Sequence, residues 1–391
     1  MKIRLVLLTH PASLASESMP RFAGMIGHAM VKRGHEVEMW TSPQKLVLPF
    51  IRSAFVRKWL GYADQFLIYP RELCRKVNRQ PKNTLFVVTD QALGIWVPRL
   101  AHRPHVIHCH DFMALKSALG EFPEHSTSRT GQCYQRLIRK GFSRGKAFIS
   151  VSKKTREELH RFLPQAPPIS EVVHNGLNHP FRPMELAERI SLLKKTGVEI
   201  SEHGLIVHVG GNQWYKNRRG VLEIYRAFAA AHPHPPSLWM IGATPTDQLL
   251  NLAASVPAPG KVHFLSSLSN EQVNAAYSHA RVLLFPSLEE GFGWPIAEAM
   301  ASGCPVITTD AAPMTEVAGD AARLIPRMPA DAAGREAWAK FAAGILNELV
   351  IMNQTSRANL LVKGKLNAMR FDAEAALVAY ERIYEQALGS S

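Results

Sequence analysis

Residues 281–309, RVLLFPSLEEGFGWPIAEAMASGCPVITT, hold the residue types and spacing best suited to chemistry. A buried apolar run ends at Pro286, a loop with Gly291 and Gly293 follows, and Pro295 suits the first turn of a helix. Glycines at a strand-to-helix turn let a ligand approach the backbone, and unpaired amides at a helix start attract anions. Glu290 precedes this helix and Glu298 is expected in its first turn. Both carboxylates then face one ligand from the same edge, with Glu298 placed to accept two adjacent hydroxyls of a ribose or hexose. A nucleotide or sugar-phosphate site is one reading. The other is a helix start that favours acidic residues through its dipole.

Such a site needs strands and helices to position it, and the chain supplies them twice. Lys2–Thr9 is a continuous apolar strand, followed by a helix over about Met19–Lys32 that stops at Gly34. Glu36–Thr41, Thr84–Thr89, Val106–Cys109 and Ala147–Val151 read as further strands with helical segments between them. NGLNHPFRP (Asn175–Pro183) interrupts the pattern with turn residues. It restarts with strands at Leu205–Val209, Leu238–Ile241, Val262–Leu265, Arg281–Pro286, Val306–Thr309 and Arg323–Ile325, and a helix from about Gly220 to Ala231. The fold class is α/β: two Rossmann-like, doubly wound domains in series. The domains are expected at 1–183 and 184–370, with residues 371–391 a helix that crosses back to the N-terminal domain.

Composition narrows the function classes. A hydrophobic content of 46% against 20% charged residues excludes a disordered chain, and a mean hydropathy of −0.08 argues against an integral membrane protein. The four cysteines are widely spaced, with no CxxC pair or zinc pattern, which fits a reducing cytosol. The net charge is +14, yet residues 1–190 carry +15 and residues 191–391 carry −1. A one-sided positive field suggests contact with something anionic, whether nucleic acid, a phospholipid surface or a phosphorylated substrate. No nucleic-acid motif is recognisable, so no nucleic-acid partner is expected.

EEGFGWPIAEAMASGCPVI resembles the signature of the retaining GT-B glycosyltransferases of family 4 (glycosyl transferases group 1), a Glu, seven residues, then a Glu, with Gly-Phe-Gly after the first. The resemblance implies a GT-B fold with two domains facing a cleft. It implies that Glu298 binds the nucleotide ribose, and that Glu290 and the Gly291, Phe292 and Gly293 backbone contact the donor sugar and diphosphate. LSSLSNEQVNAAYSHARVLLFPS (Leu265–Ser287) resembles the segment that receives the base, with Leu268 as its donor-binding residue. RGHEVEMWT, SVSKKTREEL and VVHNGLNHPFRP also match, whereas residues 43–105 match weakly. In VHVGGNQWYKNRRG the family presents Gly-Arg and then Lys to clamp the diphosphate. Lys216 fits the Lys, but Gly211 stands where the Arg is expected. Arg218, Arg219 or the Asn212 amide are the candidate replacements. The family's Gly-Gly pair in the first loop is also missing, where Ser16 and Ser18 offer hydroxyls instead. His110 of VIHCHDF matches a histidine that bonds the donor sugar, while His108 is expected to be structural.

These parts imply a retaining hexosyltransferase acting on a UDP- or GDP-sugar, glucose or mannose for example, in polysaccharide or glycoconjugate biosynthesis. Its catalytic residues would be His110, Lys216 and Glu290. No carboxylate stands out as a nucleophile, so attack from the leaving-group side is preferred, with charge stabilisation as the main catalytic device. No cofactor or metal is expected, there being no Asp-x-Asp motif. Residues 45–82 mix Phe50, Ile51, Phe55, Trp59, Leu60 and Phe66 with Arg52, Arg57, Lys58, Arg71, Arg75 and Lys76. That pattern fits either an interfacial helix on anionic lipid or a helix covering the sheet with an arginine-rich outer face. A glycan or lipid-linked acceptor and a cytoplasmic, membrane-peripheral location follow from the first. The competing classes are a nucleotide-sugar epimerase of the same architecture and a basic nucleic-acid-binding protein.

Overall fold

The continuous apolar runs read from the sequence become parallel strands buried on both faces. The computed structural model describes residues 2–11, 18–43, 45–46, 53–201 and 204–389. Ser16, Phe50, Ile51 and Arg52, and the side chains of Ser18, Phe55 and Lys58, lie outside the described residues.

By internal contacts the chain divides into two units. The first comprises residues 1–122, 126–174 and 374–391. Its strands are β1 (Arg4–Thr9), β2 (Glu36–Thr41), β3 (Thr84–Val88), β4 (His105–Cys109), β5 (Ala147–Ser150) and β6 (Ile169–Val172), in the spatial order β2-β1-β3-β4-β5-β6. All pairings are parallel. The two-residue period of a strand divides β1 between two cores. Val6 and Leu8 join Tyr69, Leu73, Trp96 and Phe142 on one face, while Leu5 and Leu7 join Phe22, Ile26 and Met30 on the other. The final helix, Ala373–Gly389, buries Tyr380, Ile383, Tyr384 and Ala387 in that second core. Glu381 on the same helix accepts hydrogen bonds from Arg33 at 2.7 Å and His35 at 2.8 Å.

The second unit comprises residues 123–125 and 175–373. Its strands are β7 (Leu205–Val209), β8 (Ser237–Ile241), β9 (Val262–Leu265), β10 (Ala280–Phe285), β11 (Val306–Thr309) and β12 (Ala322–Ile325), ordered β12-β11-β10-β7-β8-β9, again all parallel. The helices Arg218–Ala231 and Ala332–Val350 cover one face around Tyr225, Phe228, Trp338 and Leu346. Among the described residues no helix is long and apolar enough to cross a membrane.

By contacts the division falls after His174, at the start of the turn-rich segment Asn175–Pro183. Two elements differ from the sequence reading. β6 went unread because ISEV is a four-residue edge strand buried only at its first position, so its pattern is not apolar. The helix after β7 begins at Arg218, not near Gly220, because Asn217 sits in the left-handed region (φ 49°) and its side chain caps the Gly220 amide at 3.1 Å.

Candidate active site

In each sheet the strand order reverses once, and open parallel sheets bind ligands beyond the carboxyl ends of their strands at that reversal. In the second unit the reversal lies between β7 and β10. The turn after β7 holds Lys216 and the loop after β10 holds Glu290, so the two sequence-predicted charges straddle it. Lys216 Nζ donates to Glu290 Oε1 at 2.7 Å, with the side chains 17% and 7% exposed.

The two loops are tied by backbone-directed bonds. Leu288 N donates to the Tyr215 carbonyl at 2.8 Å, and Asn217 Nδ2 donates to the Pro286 carbonyl at 2.9 Å. Thr309 Oγ1 fixes the Ser287 carbonyl from β11 at 2.7 Å. The floor beside them needs glycine: a Cβ on Gly242, whose φ is +145°, would collide with the Gly210 carbonyl. Gly293 at φ +100° starts the helix Trp294–Ala301, a conformation that L side chains rarely adopt.

Glu298 lies in the second turn of that helix, not the first, so its presence is not a response to the helix dipole. Its carboxylate accepts a hydrogen bond from the buried Tyr277 hydroxyl at 3.0 Å. Burial pushes the carboxyl up to about 7, against the opposing effects of the Tyr277 hydrogen bond and the Lys216 charge. Gly291 and Gly293 are buried in the loop. The Phe292 ring packs edge-on against Phe371 at 5.4 Å and Trp294 at 5.8 Å, so its side chain serves the core.

Arg218 and Arg219 have opposite surroundings. Arg218 is buried, with its guanidinium bonded to Asn212 Oδ1 and to the Ala243 carbonyl at 2.8 Å. Its Nε and Nη2 are buried without a hydrogen-bond partner among the described residues. Arg219 points outward and pairs with Glu223 at 2.8 Å along its own helix. Asn212 is exposed and donates to the Thr244 carbonyl at 2.7 Å. Leu268 is partly exposed in the loop after β9.

His110 belongs to the first unit, whose reversal lies between β1 and β3. Its ring Nε2 donates to the Thr89 carbonyl at 2.9 Å, and burial lowers its pKa. His108 is buried against Tyr384, with Nε2 2.8 Å from the hydroxyl, and burial takes its pKa to about 3, so it is structural. Sequence reasoning missed the pair His10–Asp90, which meets at 2.9 Å across this reversal. Burial alone would raise Asp90, but the His10 hydrogen bond and charge, the His110 charge and the Ala92 amide hold it below the usual carboxylate range. Asp111 is pushed up to about 6, chiefly by burial. The available signal was position: His10 directly follows β1, and Asp90 closely follows β3.

The profile described as Glycosyltransferase Family 4 matches residues 19–180, and that of Glycosyl transferases group 1 matches residues 203–339. The chain belongs to the group 1, family 4 glycosyltransferases. O-antigen chain mannosyltransferase B of Escherichia coli is 27% identical over 203 residues, 51% of this chain and 52% of the relative. The MMP alpha-(1->4)-mannosyltransferase of Mycolicibacterium hassiacum is 41% identical over 90 residues, 22% of this chain and 21% of its own length. The matched part thus spans about half the length of these curated relatives, or less. Among solved structures, WaaG, a glycosyltransferase involved in lipopolysaccharide biosynthesis, aligns with a TM-score of 0.71 at 17% identity over 98% of this chain and 99% of its own. HepE from Anabaena, in complex with UDP and glucose, aligns at 0.69 and 15% identity over 97% and 98%. At these identities the likeness concerns the fold, which is that of the GT-B glycosyltransferases.

Proposed function

We propose that this family member transfers a hexosyl group from a UDP- or GDP-sugar to a hydroxyl of a glycan or lipid-linked acceptor, with retained anomeric configuration and without a metal. The observation that carries the reading is the Lys216–Glu290 ion pair at the reversal of the second sheet, with the Glu298 carboxyl on the adjoining helix. Mannose is the favoured hexose, because the relatives above are named mannosyltransferases. In the transfer, the acceptor oxygen forms its bond to the anomeric carbon as the bond to the diphosphate breaks. The acceptor proton passes to the departing phosphate oxygen. Lys216 and Arg218 neutralise the charge that develops there, Glu298 accepts the ribose hydroxyls, and Glu290 with the 291–293 backbone holds the sugar. Incubation with GDP-mannose and UDP-glucose in the presence of EDTA, with the product anomer read by NMR, tests all of this. Inverted product, or transfer that EDTA abolishes, refutes the corresponding part.

Arg218 is assigned the place of the arginine missing at Gly211, because its guanidinium retains buried donors with no partner among the described residues while Arg219 is committed to Glu223. Arg218→Ala is expected to lower turnover by about ten- to a hundred-fold, in the range of one lost charge-assisted bond, and Arg219→Ala to leave it unchanged. The reverse ranking in a steady-state assay would move the clamp to Arg219.

A membrane-peripheral, cytoplasmic-face location is supported by the outer face of residues 53–79. There Val56, Trp59 and Leu67 are exposed beside exposed Arg57, Arg71 and Arg75. The inner face of the same segment buries Tyr69, Leu73 and Val77, so one helical stretch has both expected characters. Flotation on vesicles should require acidic lipid and weaken as salt rises. Neutralising Arg57, Arg71 and Arg75 together should release the protein, at about 1 kcal/mol for each charge. Equal flotation on neutral and acidic vesicles, or none on either, removes the membrane from the proposal.

A further inference from the structure

The His10–Asp90 pair has no part in the transfer described above, although it sits where a ligand of the first sheet belongs. His10 directly follows β1, and Asp90 lies just beyond β3, on either side of the reversal in strand order. Leu8 pairs with Val88 in the parallel register, so both residues leave the sheet at the same edge. The two side chains meet at 2.9 Å and are 13% and 10% exposed, so the pair is set into the protein yet still touches solvent.

This pairing fixes which ring nitrogen can read a ligand. An ionised carboxylate only accepts hydrogen bonds, so His10 Nε2 carries the proton and Nδ1 keeps a lone pair. Burial works against the ionised state, yet the His10 bond and the Ala92 amide, donating at 2.8 Å, keep Asp90 below the usual carboxylate range. His110 shares this neighbourhood and feels the charges of both residues. Its Nε2 donates to the Thr89 carbonyl at 2.9 Å, and its amide donates to Gln91 Oε1 at 2.8 Å. In both rings Nδ1 is therefore the accepting nitrogen, beside one buried carboxylate. Lone pairs next to a negative charge repel the oxygens of a phosphate and suit O–H donors. A sugar supplies several such donors on one ring.

We propose that His10 is a substrate-binding residue whose Nδ1 accepts a hydrogen bond from a sugar hydroxyl, and that Asp90 is the positioning residue that sets its tautomer. This assignment rests on the glycosyl-transfer reading and adds a contact to it. The proton of the attacking hydroxyl is committed there to the departing phosphate. The hydroxyl held by His10 is therefore another one, on the donor sugar or on the acceptor.

The ring nitrogens of His10, followed by nitrogen-15 NMR of the wild type at pH 8 and assigned by their loss in His10→Gln, test this. The free protein is expected to show the Nε2–H tautomer, and Asp90→Asn a mixture of both. Nδ1 is expected to shift with GDP-mannose or UDP-glucose if the hydroxyl is the donor's, and with methyl mannoside or methyl glucoside if it is the acceptor's. Inorganic phosphate and GDP should leave it in place. His10→Phe is expected to lower kcat/KM for that same substrate by about three- to tenfold, the loss of one neutral hydrogen bond. His10→Gln keeps a donor for Asp90 and an accepting oxygen, and should recover most of the loss. A residue that served only to satisfy Asp90 would lower Tm in His10→Phe and move none of these readings. An Nδ1–H tautomer in the free protein, a resonance that no sugar shifts, or a shift with phosphate overturns the assignment, even where His10→Phe fails to fold. Such a failure in a protein that still transfers sugar strikes His10 alone, whereas absence of transfer strikes the glycosyl-transfer reading.

Discussion

Lys216→Ala is expected to lower turnover by about a hundred- to a thousand-fold, the usual consequence of removing one preorganised group that stabilises developing charge. The structure adds an effect on stability. The partner, Glu290, has a side chain only 7% exposed, so removing the ammonium leaves a buried carboxylate without its cation. Breaking a buried pair in this way costs about 3–5 kcal/mol, moderated by the partial exposure of Lys216 itself. Two measurements separate the roles. Thermal unfolding of Lys216→Ala should shift downward, and adding Glu290→Gln should recover most of that shift by removing the stranded charge. Turnover should stay low in the double variant, because the charge proposed to face the diphosphate is still missing. Wild-type transfer by Lys216→Ala, or turnover that returns with Glu290→Gln, would reduce the pair to a structural tie between two loops.

Glu298→Gln is expected to weaken donor binding by about ten- to a hundred-fold while making the folded chain more stable above neutral pH. The binding loss follows from charge-assisted bonds, which contribute about 1.5–3 kcal/mol. The stability gain follows from the raised pKa, and its sign is fixed by linkage. The carboxyl titrates at about 7 when folded, against 4.5 as the ordinary value. Between these pH values the folded chain keeps a proton that the unfolded chain has lost, so stability declines as pH rises through that window. Above pH 7 the buried carboxylate is a net cost, and a neutral amide that still accepts from Tyr277 removes it. Discounted for partial exposure, the gain is about 1–2 kcal/mol at pH 8, or several degrees in Tm. Donor affinity of the wild type should fall as pH drops below 7, and the variant should lose that dependence. Calorimetric titration with the donor nucleotide at pH 6 and 8 reads both. Equal affinity of wild type and variant at pH 8 would take Glu298 out of the site.

The same residues show how far the amino-acid order reaches. Strand identity was legible because β1, β3, β4 and β7 are short apolar runs, a pattern set by burial on both faces of a parallel sheet. The Glu290–Glu298 spacing was legible as well, since both residues follow one strand and join one helix. The left-handed Asn217 was not, and one residue in that conformation moved the helix start onto Arg218. Sequence left three candidates for the missing arginine, and only packing distinguishes Arg218, buried with donors unpaired among the described residues, from Arg219 on the outer face. The Lys216–Glu290 and His10–Asp90 pairs were equally beyond reach as pairs. Their members lie 74 and 80 positions apart, and they meet because parallel strands bring the ends of distant segments to one edge. The amino-acid sequence thus determined which charges exist and which strand each one follows. Tertiary structure decided which charges meet and how deeply each is buried, because both depend on strand order, a property of the folded sheet that no local pattern encodes.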